Sequence, residues 1–200
     1  MKVLVAAASY ITQYVESIAA CFNISREPQD ELDIEWMKRG DIARERFANR
    51  ILGDDSYGPE DALLLLDADQ KHPIDMLERM RRLDVDMVCA HYYARDADKV
   101  ESMCFVIGDG KWPFKPYDNP PRTGLHRIAL TGFGCVLIKK KVLQAVRDVT
   151  PKGAKTMETD FVFFYRAYQL GYDLWLDADI ESEHAVTLWL NHDTAERLKK

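Results

Sequence analysis

Asp67-Ala68-Asp69 places two carboxylates one residue apart directly after Ala62-Leu63-Leu64-Leu65-Leu66, the most apolar segment of the chain. If that segment is a strand, the alternation aims both carboxylates at one ligand beyond its carboxyl end. In open α/β sheets, that is where ligands bind. Paired hard oxygen donors suit Mg²⁺ or Mn²⁺, ions that complete their shells with water and substrate phosphates. A divalent ion held on a diphosphate would offset charge on the leaving group as a bond to phosphate oxygen breaks. The spacing alone does not decide the matter. Asp84-Val85-Asp86, Asp96-Ala97-Asp98 and Asp177-Ala178-Asp179 share it, and the last also follows an apolar run, Leu174-Trp175-Leu176. A helix-capping turn ahead of Pro73 is the plain alternative for Asp67 and Asp69.

Glu158-Thr159-Asp160 stands at the start of an aromatic-rich helical pattern, where the macrodipole favours carboxylates without any further role. The functional alternative is a general base able to reach an acceptor hydroxyl. His184 lies shortly after the final apolar run, in Glu181-Ser182-Glu183-His184. A single histidine there is either a ligand or an ordinary surface residue. His72, His91, His126 and His192 show no shared spacing, and Gly132-Phe133-Gly134 is too short for a phosphate loop. Close backbone approach or a bend explains those glycines as well.

The elements that must position these groups alternate in period. Residues 2–8 read as a buried strand, and Ile11, Tyr14, Val15, Ile18 and Phe22 recur at helical spacing. Leu32, Ile34 and Trp36 alternate with acids as a half-exposed strand, and Ala43, Phe47 and Ile51 mark a helix ending near Gly53. Residues 62–66 lack alternation, as in a strand covered on both faces. Pro73 opens a third helix with Ile74, Leu77 and Met80 inward, and residues 87–90 form another buried strand. This order predicts an α/β fold with a mostly parallel sheet flanked by helices. Further on, residues 102–107 and 111–114 predict a small antiparallel hairpin, followed by an irregular proline-rich stretch. Residues 128–138 read as one strand interrupted at Gly132 and Gly134. A helix from about residue 140 and a polar loop at 150–156 follow. Phe161, Phe164, Tyr165 and Tyr168 then form a helical stripe closed by Gly171, and a strand at 172–176 comes last.

Composition excludes several classes. The 200 residues carry 27 Lys plus Arg against 33 Asp plus Glu, a net charge of −6, which argues against non-specific binding to nucleic acid or anionic lipid. Arg79, Arg81 and Arg82, like Lys139, Lys140 and Lys141, read as solvated helix faces. With 47% hydrophobic and 30% charged residues the chain is an ordinary folded one. No apolar run approaches the ~20 residues of a membrane helix, and residues 1–8 make a poor signal peptide. Cys21, Cys89, Cys104 and Cys135 are scattered among apolar neighbours, as buried thiols of a reducing, cytoplasmic setting would be. One domain over residues 1–200 is expected.

Taken in order, these segments resemble family-2 glycosyltransferases of the GT-A (Rossmann-like) fold, including small phage and bacterial members. Leu63-Leu64-Leu65-Leu66-Asp67-Ala68-Asp69 before Pro73 is similar to that family's DxD segment. Residues 131–143, from Thr131-Gly132-Phe133-Gly134 to Val142-Leu143, resemble its glycine turn, strand and basic helix start. Asp160-Phe161-Val162-Phe163-Phe164-Tyr165-Arg166-Ala167 with Gly171-Tyr172 resembles the segment carrying its base. Gly40-Asp41-Ile42-Ala43-Arg44-Glu45-Arg46 resembles the helix after its second strand. The resemblance spans about residues 2–184. It implies a metal-dependent, inverting transfer of a sugar from a nucleotide-diphosphate sugar, a UDP-sugar, to an acceptor hydroxyl. Asp69, Asp67 and His184 would hold Mn²⁺ or Mg²⁺, with Asp67 shared between the metal shell and the ribose. Asp160 would be the base, with Glu158 as its rival because the family's acidic pair is displaced here. By position, Ala8, Asp33 and Arg46 would serve the nucleotide. Residues 1–92 would then bind the donor, residues 93–184 the acceptor, and residues 185–200 form a tail, in a chain free to self-associate.

Two other readings compete. A sugar-phosphate nucleotidyltransferase uses a related sheet, but should show a glycine-rich basic loop after the first strand. Ser9-Tyr10-Ile11-Thr12-Gln13 has neither glycine nor a basic residue. A non-catalytic nucleotide-sugar or glycan-binding module would not need separated acidic and histidine positions in register.

Overall fold

A computed structural model describes residues 1–9, 19, 21–36, 40–94, 101–108 and 113–184. The predicted helix from Ile11 to Ile18, the Asp96-Asp98 pair and the tail after His184 lie outside them. The first half contains β1 (Val3–Ser9), β2 (Glu31–Trp36), α1 (Gly40–Gly53), β3 (Ala62–Asp67), β4 (Gln70–Lys71), α2 (Met76–Arg82) and β5 (Met87–His91). Three short strands follow: β6 (Cys104–Ile107), β7 (Phe114–Pro116) and β8 (Leu125–Ile128). The remainder is β9 (Leu130–Thr131), β10 (Cys135–Lys139), α3 (Lys140–Val149), α4 (Asp160–Gln169), β11 (Leu174–Glu181) and β12 (Glu183–His184).

Seven strands form one sheet in the order β2-β1-β3-β10-β5-β11-β8. β1 runs parallel to β2 and β3, and β5 parallel to β11, while β10 and β8 are antiparallel insertions. The α/β class with a mostly parallel sheet is as the sequence predicts. Because β3 is covered on both faces, its leucines divide between two cores. Leu63 and Leu65 pack with Phe47, Ile51, Phe163 and Phe164 on one side, and Leu64 and Leu66 with Met76 and Leu77 on the other. Burying each such side chain contributes about 1.5–3 kcal/mol, so the sheet's centre is fixed by this one segment more than by any other.

Several details differ from the sequence reading. Residues 128–138 are three strands in two sheets, not one: β9 pairs with β6, which also pairs with β7, whereas β8 and β10 belong to the main sheet. α2 begins three residues after Pro73, and Ile74 is 64% exposed while Met76, Leu77 and Met80 face inward. On α4, Phe163, Phe164 and Ala167 are buried; Phe161, Tyr165 and Tyr168 remain partly exposed along the other face. The predicted stripe therefore divides, with Phe164 inward and Phe161, Tyr165 and Tyr168 outward, because a helix rich in aromatics on all sides offers no periodic contrast.

Two basic residues read as solvated are structural. Lys139 reaches Glu60 at 2.8 Å and Asp84 at 2.9 Å from a side chain only 6% exposed. Arg81 makes two bonds, at 2.8 and 2.7 Å, to Asp30, whose side chain is fully buried and also accepts from the Val3 and Glu27 amides. Asp30 thereby ties the entry of β2 to the start of β1 and to α2. Removing one partner of a buried pair strands the other charge. Arg81→Met is therefore expected to destabilise the protein by ~3 kcal/mol in urea unfolding, with part of the loss recovered in Arg81→Met/Asp30→Asn.

Candidate active site

The carboxyl end of β3 gathers the chemistry. Asp67 lies beside Ala8 in the β1–β3 register, and the Ala68 amide donates to the Ala8 carbonyl at 3.2 Å. Asp67 Oδ1 accepts from Arg44 Nη2 at 2.7 Å. Arg44 reaches it from the inward face of α1, the face that carries Phe47, Ala48 and Ile51, with its guanidinium 5.3 Å over the Phe133 ring. Burial works against the Arg44 charge, but Asp67 and Asp160 outweigh it and hold the guanidinium protonated.

Asp69, one turn further on, meets His184. The two-residue ribbon β4–β12 pairs Gln70 with His184, which sets His184 Nε2 3.3 Å from Asp69 Oδ1. The other ring nitrogen, Nδ1, donates to the Tyr93 carbonyl at 2.9 Å. That bond fixes the proton on Nδ1: a protonated ring then donates Nε2–H to Asp69, while a neutral ring keeps the Nε2 lone pair for a cation, as a ligating histidine oriented by a backbone carbonyl does. Burial lowers the His184 pKa, but the bonds to Asp69 and Tyr93 and the nearby carboxylates leave it raised.

The glycine turn closes the site from the β10 side. The Asp67 amide donates to the Gly134 carbonyl at 2.8 Å, and the Gly134 amide donates to Tyr92 Oη at 3.0 Å. A Cβ on Gly134 would overlap the Gln70 amide and the Tyr92 ring; one on Gly132 would overlap the Tyr92 hydroxyl. Both glycines are therefore required by close approach rather than by a phosphate loop. Gln70 is fully buried beneath this turn, and neither polar atom of its amide has a hydrogen-bond partner among the described residues.

Asp160 opens α4, where Thr159 Oγ1 caps the helix by accepting from the Val162 amide at 3.2 Å. Burial pushes the Asp160 carboxyl up. The Phe161 amide and Arg44 pull it back, and the Asp67 charge adds to the rise. Asp160 thus shares one electrostatic neighbourhood with Arg44 and Asp67. Glu158, by contrast, is exposed and makes none of these contacts. The nucleotide-side candidates also divide. Ala8 abuts Asp67, whereas Asp33 on β2 is engaged by Arg50 at 2.5 Å and Arg46 at 3.3 Å, and Arg46 also pairs with Glu35. Arg44, Tyr92 and Gln70 were not among the sequence candidates. Arg44 is detectable in retrospect, because it sits four and seven residues before Ala48 and Ile51 on the buried face of α1. Arg46 falls outside that face.

No family model and no curated protein matches the sequence. Solved structures do. A197 from STIV superposes with a TM-score of 0.64 at 17% identity, covering 94% of this chain and 87% of its own. GalNAc-T7, solved with UDP, GalNAc and Mn²⁺, superposes with a TM-score of 0.59 at 10% identity, covering 92% of this chain and 43% of that one. The fold is GT-A-like. Asp67 ends β3 and Asp69 follows it, His184 lies in β12 against β4, and Asp160 opens α4 within the field of Asp67. Among the described residues no helix is long and apolar enough to cross a membrane, and all four cysteines are free and buried.

The donor set fits a divalent ion in part. Among the described residues, no three His, Cys, Asp or Glu side chains gather as a self-sufficient metal cage. Asp69 and His184 supply one carboxylate and one oriented imidazole. Such a pair leaves coordination positions to phosphate oxygens and water, and its nitrogen suits a transition ion better than Mg²⁺.

His72 supports the turn from below. It is buried, with Nδ1 3.0 Å from Ser182 Oγ and Nε2 3.4 Å from the Asp67 carbonyl. Burial lowers its pKa from 6.5 to about 4, so the folded state keeps it neutral while the unfolded chain binds a proton below pH 6.5. This contribution is complete above pH 6.5 and lost as the pH falls toward 4. Urea unfolding between those values is expected to show roughly 3 kcal/mol of acid sensitivity in the wild type that His72→Gln lacks.

Proposed function

We propose that this protein is a metal-dependent, inverting glycosyltransferase that moves a sugar from a nucleotide-diphosphate sugar to an acceptor hydroxyl. The observation that carries the reading is the Asp69–His184 pair, oriented by the Tyr93 carbonyl, on the same GT-A sheet end as a part-buried Asp160. Asp69 and His184 would hold Mn²⁺ or Mg²⁺, which when bound offsets charge on the departing diphosphate. The binding of UDP, GalNAc and Mn²⁺ by GalNAc-T7 supports a UDP-sugar as donor. Asp67, committed to Arg44 through one oxygen, keeps the other for the ribose or the metal's water shell. Residues 1–92 hold the donor and residues 93–184 the acceptor, and the free thiols suit a cytoplasmic setting.

Asp160 is the base, in preference to the exposed Glu158. It takes the proton from the acceptor O–H as that oxygen bonds to the anomeric carbon. The carbon–oxygen bond to the diphosphate breaks, and the leaving group keeps the electron pair. Entry opposite the leaving group inverts the anomeric centre and requires no enzyme nucleophile. The raised Asp160 carboxyl is better matched to accepting a proton near neutral pH than an ordinary aspartate would be.

A panel of nucleotide sugars with Mn²⁺, with and without chelator, tests this by the release of nucleoside diphosphate. Asp69→Asn and His184→Ala are expected to abolish metal-dependent donor stabilisation in thermal melts. Asp160→Asn should keep donor binding but lower transfer by ~10²–10⁴-fold, and Glu158→Gln should keep both. A product that retains the donor's anomeric configuration, or a protein whose melting temperature no nucleotide sugar shifts, would overturn the reading.

A further inference from the structure

Beside the Asp69–His184 pair lies a concavity of about 540 Å³, between the ends of β5 and β11 and the 118–122 loop. Its size falls within the roughly 300–1,000 Å³ typical of small-molecule sites. His91 and Ser102 are its buried polar lining residues, joined Nε2 to Oγ at 3.2 Å, with Ser102 Oγ also accepting from the Cys104 amide. Asp118, Arg122 and Glu181 line it with exposed side chains. Tyr93 completes the wall, its ring edge-on to His91 at 4.7 Å. The same Tyr93 offers its carbonyl to His184, so one residue links this cleft to the candidate metal pair.

We propose that the cleft binds a saccharide whose hydroxyl is the acceptor, an inference that rests on the transferase reading above. Two carboxylates against one guanidinium make the lining unfavourable for phosphate or an acidic ligand. Carboxylate acceptors alternating with guanidinium and imidazole groups match vicinal hydroxyls, each of which both donates and accepts. The Tyr93 ring and the adjoining Pro120 and Pro121 supply apolar surface of the kind that covers the C–H face of a pyranose.

Saturation-transfer NMR on the full chain, in chelator and without nucleotide, tests the cleft separately from donor chemistry. The probes are methyl glucosides, galactosides and mannosides with their disaccharides, alongside a Ser/Thr peptide and inorganic phosphate. At least one saccharide is expected to receive saturation, with its Kd weakened at least fivefold in Glu181→Gln and in Asp118→Asn. Glu78→Gln, on the distant helix α2, should retain it. All three side chains are exposed, and unchanged melting temperatures confirm folding. Binding of no saccharide, saccharide binding that both cleft variants leave untouched, or preferential binding of the peptide or phosphate would overturn the proposal. A saccharide bound here by a protein that hydrolyses no nucleotide sugar would preserve the cleft's ligand class while removing its role as acceptor site. Donor hydrolysis without saccharide binding would overturn this assignment of the cleft while leaving the transferase reading in place.

Discussion

The ion pair between Arg44 and Asp67 governs the end of the sheet where everything else converges. Asp67 is delivered there by β3, the strand that both cores depend on, and Asp160 is delivered by α4 into the same field. Two carboxylates so placed repel one another, and burial makes the repulsion stronger than it would be in water. Arg44 offsets both. Its planar guanidinium can bond Asp67 while lying over the Phe133 ring, a geometry that a lysine ammonium on a flexible stem would not hold. With Asp67 satisfied from α1, Asp69 turns to His184, and the two aspartates of one motif acquire separate tasks.

The antiparallel insertion of β10 supplies the second constraint. Because β10 runs against β3 and β5, its first residue pairs with Leu66, and the turn that precedes it lies at the sheet's carboxyl end. Gly132-Phe133-Gly134 therefore enters the site, with Phe133 under Arg44 and the two glycines admitting Tyr92 and Gln70. A wholly parallel sheet would have placed that turn at the opposite end. The same reversal sends Lys139, the last residue of β10, to the beginning of β3, where it meets Glu60 and Asp84.

The parts of this arrangement legible in the sequence are those set by local pattern. An unbroken leucine run announced β3 and therefore where Asp67 and Asp69 would stand, and helical spacing announced α1. The parts that were not legible depend on contacts distant in the chain. Nothing near His184 indicates that it will pair with Gln70, 114 positions earlier, since the ribbon responsible is two residues long on each side. The division of residues 128–138 among separate strands is equally non-local, because β9 owes its identity to β6. The contacts of Arg81 and Lys139, whose sequence context reads as a solvated face, are non-local for a related reason. A long cationic side chain looks the same in sequence whether it meets water or an acid brought in by another element. Arg44, by contrast, shares the helical spacing of Ala48 and Ile51, and Arg46 falls off that face.

The distribution of compensating charge distinguishes the two ends of the sheet. At the beginning of β3, Glu60, Asp84 and Asp86 face Lys139 and Lys141 in a network whose members lie within hydrogen-bond or ion-pair distance. On β2, Glu31, Asp33 and Glu35 face Arg46 and Arg50 in the same manner. Such pairing is what folding stability selects, since unpaired buried charge is expensive. At the carboxyl end, Asp67 and Asp160 lie in the field of Arg44, and Asp69 meets His184, which is cationic only when protonated. Their fields reinforce one another: the Asp67 charge adds to the rise of the Asp160 carboxyl and, with Asp69, to that of the His184 ring. Stability alone gives no reason to bring three carboxylates from separate elements into one field. A site that must attract a divalent ion and raise the proton affinity of one carboxylate has both reasons.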